Sequence, residues 1–149
     1  MSENTGQEEI EYYAKLAHVH HNIVEFPDAY NTLLGERGVN LSGGQKQRIS
    51  IARALMRKPK LLLLDDCLSA VDTKTEEEIL GNLGKIMNGK TSILIAHRIS
   101  TIKNADKIIV LDEGQVIEQG THNELLSKGG AYTEMYNNQL LEDEKHIHN

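Results

Sequence analysis

Four consecutive leucines followed by two aspartates, at residues 61 to 66, constrain the fold of this chain more than any other stretch. A short apolar run of this kind is typical of a buried strand in a parallel sheet covered by helices. In such sheets, reactive groups lie at the carboxyl ends of the strands. The run therefore predicts an α/β fold with Asp65 and Asp66 at a functional edge. Because adjacent residues on an extended strand point to opposite faces, we do not expect the two carboxylates to act as an acid pair.

Helical and strand-like patterns alternate along the chain, which indicates βαβ units and a largely parallel sheet. We predict helices at residues 6–22, 42–58, 73–87, 98–105 and 121–140, the last interrupted at 129–130. Predicted strands lie at residues 61–64, 91–96, 107–111 and 115–118, and the turn 113–114 joins the last two as a hairpin. Thr-x-x-Glu capping boxes mark three helix starts, at Thr5, Thr73 and Thr121. Residues 27–44 should form a loop, and residues 142–149 a charged, frayed tail.

The composition fits one soluble globular domain, because 149 residues with 39% apolar and 26% charged side chains can bury a single core. The net charge of −6 argues against a nucleic-acid-binding protein. The acidic N-terminus and the lack of an apolar run of roughly 18 residues predict neither a signal peptide nor a membrane span. Cys67 has no second cysteine to pair with. The histidines at 18, 20 and 21 lack the carboxylates or thiols of a metal site.

A phosphate-loop pattern, Gly84-x-x-x-x-Gly89-Lys90-Thr91, occurs in the second half of the chain. Such a loop needs a strand before it and a helix after it, so that backbone amides and the helix dipole converge on the phosphates. Here a predicted helix precedes the match and a predicted strand follows it. We therefore interpret the segment as a helix-to-strand turn with no role in binding phosphate.

A different phosphate-binding signal is the turn Leu41-Ser-Gly-Gly-Gln45, which opens a basic amphipathic helix. Its bare backbone N–H groups and the positive end of the helix dipole suit an anion. On its own, such a turn is usually only a helix cap. In the same way, a lone aspartate at a strand end is usually structural, and a lone histidine such as His97 usually has no catalytic role.

Five motifs nevertheless follow one another in a distinctive order: Gly35-Glu-Arg-Gly38, Leu41-Ser-Gly-Gly-Gln45, Leu61-Leu-Leu-Leu-Asp65-Asp66, Ser69-Ala-Val-Asp72 and His97. This order resembles the C-terminal part of the nucleotide-binding domain of ATP-binding cassette (ABC) transporters, and the first motif looks most like the exporter branch. The resemblance covers about residues 14 to 140. It implies an α/β fold with an incomplete P-loop NTPase-type parallel sheet flanked by helices. Residues 1–58 would be part of the helical subdomain with the signature helix, residues 59–141 the rest of the core with a β-hairpin and a helix, and residues 142–149 the tail.

In that family two cassettes dimerise head to tail, and each ATP lies between the phosphate loop of one and the signature turn of the other. The resemblance implies that this chain contacts ATP held by the opposite subunit through Leu41, Ser42, Gly43, Gly44 and Gln45. Ser69 and Asp72 match the loop that crosses the dimer interface and would also lie near ATP.

The remaining matches imply further roles. Asp65 matches the carboxylate that orients Mg²⁺, and His97 matches the switch histidine that contacts the γ-phosphate and the attacking water. Glu36 and Arg37 match the segment that senses the transmembrane domains of the exporter. The resemblance thus implies ATP and Mg²⁺ as cofactors, a second nucleotide-binding domain and transmembrane domains as partners, and a place on the cytoplasmic side of a membrane.

The sequence departs from the family at Asp66, where active members have the catalytic glutamate. Aspartate keeps the charge but loses one methylene of reach, on the order of 1 Å, and a misplacement of that size can cost about 10²-fold in rate. This departure resembles heterodimeric exporters in which one of two ATP sites is weakened. Asp66 would then lie in the slow site, and the intact signature turn would complete the site of the partner.

A second departure is the absence of the family's true phosphate loop, its adenine-stacking aromatic residue and its glutamine loop, all of which lie upstream of the signature turn. We therefore expect weak ATP binding and no ATPase activity from this chain alone, and an exposed apolar sheet edge that favours self-association. Two alternatives stay open: a truncated, non-enzymatic binding module that donates its signature turn, and a soluble ABC-type ATPase.

Overall fold

The fold was analysed in a computed structural model that describes residues 6–35 and 38–147. The chain divides into two compact units, Met1–Ile95 and Ala96–Asn149. In the first unit the helices are α1 (Gln7–Leu16), α2 (His20–Val24), a 3-10 turn at Ala29–Asn31, α3 (Gly43–Met56) and α4 (Thr73–Ile86), and the strands are β1 (Leu61–Asp65) and β2 (Thr91–Ile95). The second unit contains α5 (Ile99–Ile102), the strands β3 (Ile108–Asp112) and β4 (Gln115–Gly120), and the helices α6 (His122–Lys128) and α7 (Ala131–Ile147).

The leucine run forms strand β1, as predicted, and pairs with β2 in parallel register from Leu61 opposite Thr91 to Asp65 opposite Ile95. Its side chains alternate, so that Leu62 and Leu64 are buried while Leu61 and Leu63 are 58% and 59% exposed. In this chain the strand is therefore covered on one face only. The exposed leucines share their face with two half-exposed residues of β2, Ile93 and Ile95.

The core of the first unit is aliphatic and joins helices α1, α3 and α4 to the covered face of the sheet. Its most deeply buried side chains are Ala17, Val19, Ile51, Leu55 and Ile79. On α3, Ile51, Ala52 and Leu55 are buried, while Ile49 and Met56 are only partly so. Burying a leucine or isoleucine contributes about 1.5–3 kcal/mol, so these helices are fixed mainly by packing.

The first predicted helix is interrupted. Helix α1 ends at Leu16 and α2 begins at His20, because His18 between them has a left-handed backbone with φ of 54°. The helix begins after Gly6, which has no side chain to cap it, and Thr5 of the expected capping box lies outside the described residues.

Helix α4 begins one residue away from its predicted cap. Asp72, and not Thr73, is the N-cap residue, and its carboxylate accepts a hydrogen bond of 3.0 Å from the backbone N–H of Thr75. Thr73 is already helical, so the expected capping box at this position was wrong. An aspartate at this position also favours the helix through the macrodipole.

At the phosphate-loop pattern of residues 84–91, a helix comes first and a strand follows, which is the reverse of the order in a phosphate loop. Helix α4 ends at Ile86, Gly89 adopts φ of 74° in the turn, and strand β2 begins at Thr91. The interpretation of this segment as a helix-to-strand turn is confirmed.

In the second unit the predicted hairpin is confirmed, with β3 antiparallel to β4 and a bulge between Val110 and Leu111. Its turn uses Glu113 and Gly114, both with positive φ, as expected for a tight two-residue connection. These strands form an antiparallel sheet, and within residues 6–35 and 38–147 the parallel sheet predicted from the alternation has two strands, β1 and β2.

The capping box at the start of α6 is confirmed, because Thr121 and Glu124 exchange both of its hydrogen bonds. Gly129 ends α6 in the left-handed conformation that glycine favours. Helix α7 continues to Ile147, past residue 142, where the sequence predicts that the charged tail begins. The leucine, glutamate and lysine residues of this segment are good helix formers and no glycine or proline interrupts them. Within the described part of the chain, no helix is both long and apolar enough to cross a bilayer.

The exposed face of β1 generates a prediction about solubility. Replacing both Leu61 and Leu63 by serine should reduce self-association of the chain, because it removes apolar surface that water now contacts. Sedimentation velocity at several concentrations would measure the effect. The same double change at Leu62 and Leu64 should instead destabilise the fold, by about 2–5 kcal/mol for each truncated leucine. Unchanged association in a folded Leu61→Ser, Leu63→Ser variant would contradict the prediction.

Candidate functional site

The Ser42 turn caps helix α3 with both bonds of a capping box. The Ser42 hydroxyl accepts from the N–H of Gln45 at 3.2 Å, and the N–H of Ser42 donates to the Gln45 side-chain oxygen at 2.9 Å. The first intrahelical bond runs from Lys46 to Ser42, so helix geometry leaves the N–H groups of Gly43 and Gly44 without an intrahelical acceptor. Free N–H groups at the positive end of a helix dipole are of the kind that suits an anion. The Gln45 side chain belongs to the cap, and Leu41 is a half-buried residue before the turn.

The glycines of this turn allow helix α3 to approach the loop of residues 66–72. A Cβ atom on Gly44 would lie 2.8 Å from the backbone oxygen of Ala70, closer than real Cβ atoms come to other atoms. A Cβ atom on Gly43 would lie 3.4 Å from the Ala70 Cβ, which is ordinary van der Waals contact. The loop thus packs against the start of the helix, and Gly44 is required for steric reasons.

Gln47 links the same loop to helix α3 through hydrogen bonds. The sequence motifs did not indicate this residue. Its side-chain NH₂ donates to the Ser69 hydroxyl at 2.9 Å and to the Asp66 carbonyl at 3.3 Å. Its side-chain oxygen accepts from the N–H of Ala70 at 2.9 Å. The signal that could have revealed it is spacing, because residue 47 lies three and four positions after the glycines and so on the same helix face.

Asp65 and Asp66 lie at the carboxyl end of β1, as predicted. Asp65 is the last residue of the strand, and the N–H of Asp66 donates to the Ile95 carbonyl at 2.8 Å. Asp66 has left-handed backbone geometry with φ of 51°, so it is not part of an extended strand. The strand-alternation argument for the direction of its side chain therefore does not apply. Both residues are exposed, and a non-glycine residue in this conformation is held there by its surroundings.

The residues near the Ser42 turn line one open cleft of about 430 Å³. Its walls include Ser42, Gly43, Gly44, Arg48, Asp72, Thr75, His18 and His21. Arg48 donates to the carbonyl oxygens of His18 and of Gly44, and burial lowers its pKa while Asp72 opposes that shift. A guanidinium stays charged in proteins, so the cleft combines a helix N-terminus with a cation.

Asp72 contributes the negative charge of the cleft. Hydrogen bonds from Thr75 hold the pKa of Asp72 below its usual range, with a smaller contribution from Arg48, so the carboxylate is ionised at neutral pH. Ser69 precedes it in the loop and donates weakly to the Asp66 carbonyl at 3.4 Å. Next to Asp66, burial raises the pKa of the Cys67 thiol, which therefore remains protonated at neutral pH.

A metal-binding role has limited support from side chains. Among residues 6–35 and 38–147, no cluster of three His, Cys, Asp or Glu could hold a metal ion. The rings of His18 and His20 face different partners, Glu78 at 3.1 Å and Tyr30 at 2.7 Å. Mg²⁺ bound to a nucleotide requires only one or two protein carboxylates in addition to phosphate and water. The exposed carboxylate of Asp65 fits that requirement.

His97 belongs to the second unit, two residues beyond the end of β2. It is exposed, and its carbonyl accepts from the side-chain NH₂ of Gln139 at 2.7 Å. The side-chain oxygen of Gln139 accepts from the N–H of Ile99 at 2.7 Å and so caps α5. Gln139 was also missed by the sequence analysis. The other predicted contact residues, Glu36 and Arg37, lie outside the described residues.

The close approach at Gly44 leads to a stability prediction. Gly44→Ala should destabilise the first unit by about 1–3 kcal/mol, because its Cβ would press against backbone that cannot rotate away. Gly81→Ala is the matched control, since a Cβ atom at this position in α4 would meet nothing within 4 Å beyond its chain neighbours and its own helix backbone, and it should stabilise by about 0.5–1 kcal/mol. Urea unfolding would measure both, and equal effects of the two changes would contradict the close packing.

Comparisons with known proteins agree with these motifs. The sequence profile described as "ABC transporter" matches residues 1–69. The heavy metal tolerance protein of Schizosaccharomyces pombe is 49% identical over 135 residues, which is 90% of this chain and 16% of that protein. The leukotoxin translocation ATP-binding protein of Mannheimia haemolytica is 52% identical over 134 residues, which is 89% of this chain and 19% of that protein.

Among solved structures, a bacterial Atm1-family ABC exporter with ATP bound superimposes with a TM-score of 0.82 at 44% sequence identity. The match covers 91% of this chain and 24% of the exporter. This chain spans less than a quarter of the length of each of these relatives. Taken with the ordered motifs and the site geometry, these likenesses show that the chain belongs to the ABC transporter family, as the C-terminal part of an exporter-type nucleotide-binding domain.

Proposed function

We propose that this chain supplies the signature turn of an ATP-driven exporter motor, and that the turn contacts ATP held mainly by a second nucleotide-binding domain. The observation that carries the proposal is the cleft beside the Ser42 turn. There the amides of Gly43 and Gly44, the helix dipole and Arg48 meet in one open space. A helix N-terminus with a nearby guanidinium suits a phosphate group.

In this proposal the chain does not hold the nucleotide through a phosphate loop of its own. Its one match to the pattern is the turn between α4 and β2, where the amides are not arranged at a helix N-terminus. In this proposal the main cradle for the phosphates comes from the partner domain. For this reason we expect no ATPase activity from the chain alone.

In this proposal the Ser42 turn and the carboxyl end of β1 contact different ATP molecules. Ser42, Gly43 and Gly44 contact the nucleotide of the partner domain, in a head-to-tail dimer. Asp65 and Asp66 belong to the second site, where Asp65 would hold Mg²⁺ and Asp66 would orient water. His97 would contact the γ-phosphate, and the loop from Ser69 to Asp72 would cross the dimer interface.

Bound Mg²⁺ would neutralise phosphate charge, and the residues of this chain would position the groups around it. The exposed carboxylate of Asp65 would accept the ion directly or through water. Glu36 and Arg37 would contact the transmembrane domains, which places the domain on the cytoplasmic side of the membrane.

An association experiment tests the proposal with the full chain. The partner is the nucleotide-binding domain of the Atm1-family exporter, in a form impaired in hydrolysis and loaded with Mg²⁺-ATP. The chain should bind this domain with ATP and not without nucleotide, as measured by sedimentation or light scattering.

Two substitutions at Ser42 sharpen the result, since aspartate and asparagine are both good N-cap residues. Ser42→Asp places a negative charge against the phosphates and should weaken ATP-dependent association about tenfold or more, because roughly 1.4 kcal/mol of repulsion corresponds to a factor of ten. Ser42→Asn should bind nearly as the unchanged chain does. Equal binding by both variants, or binding that is the same with and without ATP, would refute the proposed role of the turn.

The weakened second site gives a separate prediction. In an exporter assembly containing this chain, Asp66→Glu should raise ATP turnover, by up to about 10²-fold if reach is the only defect. Steady-state phosphate release would measure the change, and Asp66→Asn is the control that removes the charge and should lower turnover. If the folded Asp66→Glu assembly is no faster, the site is not limited by the missing methylene.

A further inference from the structure

We propose that Gln47 is a positioning residue that couples the two ends of the candidate site. Its side chain holds the loop of residues 66–72 against helix α3, so that this loop and the Ser42 turn form one rigid element. The inference builds on the proposed function, in which the turn and the loop contact different ATP molecules. It assigns to one side chain the mechanical link between them.

The contacts of Gln47 use both sides of its amide. The NH₂ group donates to Ser69 and to the carbonyl of Asp66, and the oxygen accepts from the N–H of Ala70. The three groups that Gln47 binds belong to residues between 66 and 70, which follow Gln47 by nineteen or more positions in the sequence. One side chain therefore holds the loop at residue 66 and again at residues 69 and 70.

The contact to Asp66 is the one with a consequence for chemistry. Asp66 has a left-handed backbone, and its carbonyl direction depends on that conformation. A donor at 3.3 Å from this carbonyl favours the conformation, and the N–H of the same residue is bound to Ile95. Gln47 thereby orients the residue that we place beside the attacking water, without touching substrate itself.

The second unit contains an independent instance of the same arrangement. Gln139 of α7 donates to the carbonyl of His97 and accepts from the N–H of Ile99. In each unit, one glutamine on a long helix binds main-chain groups just after a strand of the parallel pair. A primary amide suits this task because it donates and accepts at once, which neither a carboxylate nor an apolar side chain of equal length does.

The experiment uses the full chain and two substitutions that separate the functions of the amide. Gln47→Met keeps the length and removes all three hydrogen bonds. Gln47→Glu keeps an acceptor for the N–H of Ala70 but loses both donors. Hydrogen exchange of backbone amides, followed by NMR, reports each effect at a single residue.

We expect exchange at Ala70 to accelerate about fivefold to tenfold in Gln47→Met, as for the loss of a single hydrogen bond, and to change little in Gln47→Glu. Gln139→Met is the matched control, and it should accelerate exchange at Ile99 while leaving Ala70 unchanged. Exchange at Ala70 that is the same in Gln47→Met as in the unchanged chain would overturn the inference.

A second measurement separates positioning from simple stabilisation. Both Gln47 variants should weaken ATP-dependent association with the Atm1-family domain about fivefold, because both lose the donors to Asp66 and Ser69. If only Gln47→Met weakens association, Gln47 acts through its hydrogen bond with the Ala70 N–H alone, and the positioning role is refuted. If the unchanged chain shows no ATP-dependent association, the proposed function fails while the exchange data still decide whether Gln47 holds the loop.

Discussion

The contact between the start of helix α3 and the loop of residues 66–72 is the constraint on which the candidate site depends. It requires a residue without a Cβ at Gly44, because the Ala70 backbone lies where that atom would be. It also includes Gln47, whose amide donates to the Asp66 carbonyl and accepts from the Ala70 N–H. In this arrangement, the Ser42 turn, Arg48 and Asp72 line one cleft.

The sequence predicted the elements around this contact well, because their signals are local. The leucine run, the Ser42 cap, the Thr121 capping box and the turn at Glu113 each contain the residues that determine them. Predicted helix boundaries were less accurate where the backbone conformation of a single residue determines them. The left-handed backbone of His18 divides the first helix, and no residue pattern distinguishes it from its helical neighbours.

The contacts missed from the sequence join residues that are far apart in the chain. Gln47 binds residues 66 to 70, and Gln139 binds residues 97 and 99. A glutamine on a helix surface does not stand out in the sequence, and apart from the Ser69 hydroxyl the partners of these two glutamines are main-chain groups, which every residue has. The exposed face of β1 is similar, since four leucines predict burial but not which face a chain of this length covers.

The left-handed backbone of Asp66 changes what determines the direction of its side chain. On an extended strand, the direction of its carboxylate would follow from the direction of Asp65, and a shorter side chain would only shorten its reach. With φ of 51°, the direction depends instead on the hydrogen bonds of its own N–H and carbonyl, to Ile95 and Gln47. In the roles proposed for Asp66 and Gln47, reach and orientation are then set by separate groups, so a longer side chain at residue 66 raises turnover only while Gln47 keeps the backbone in place.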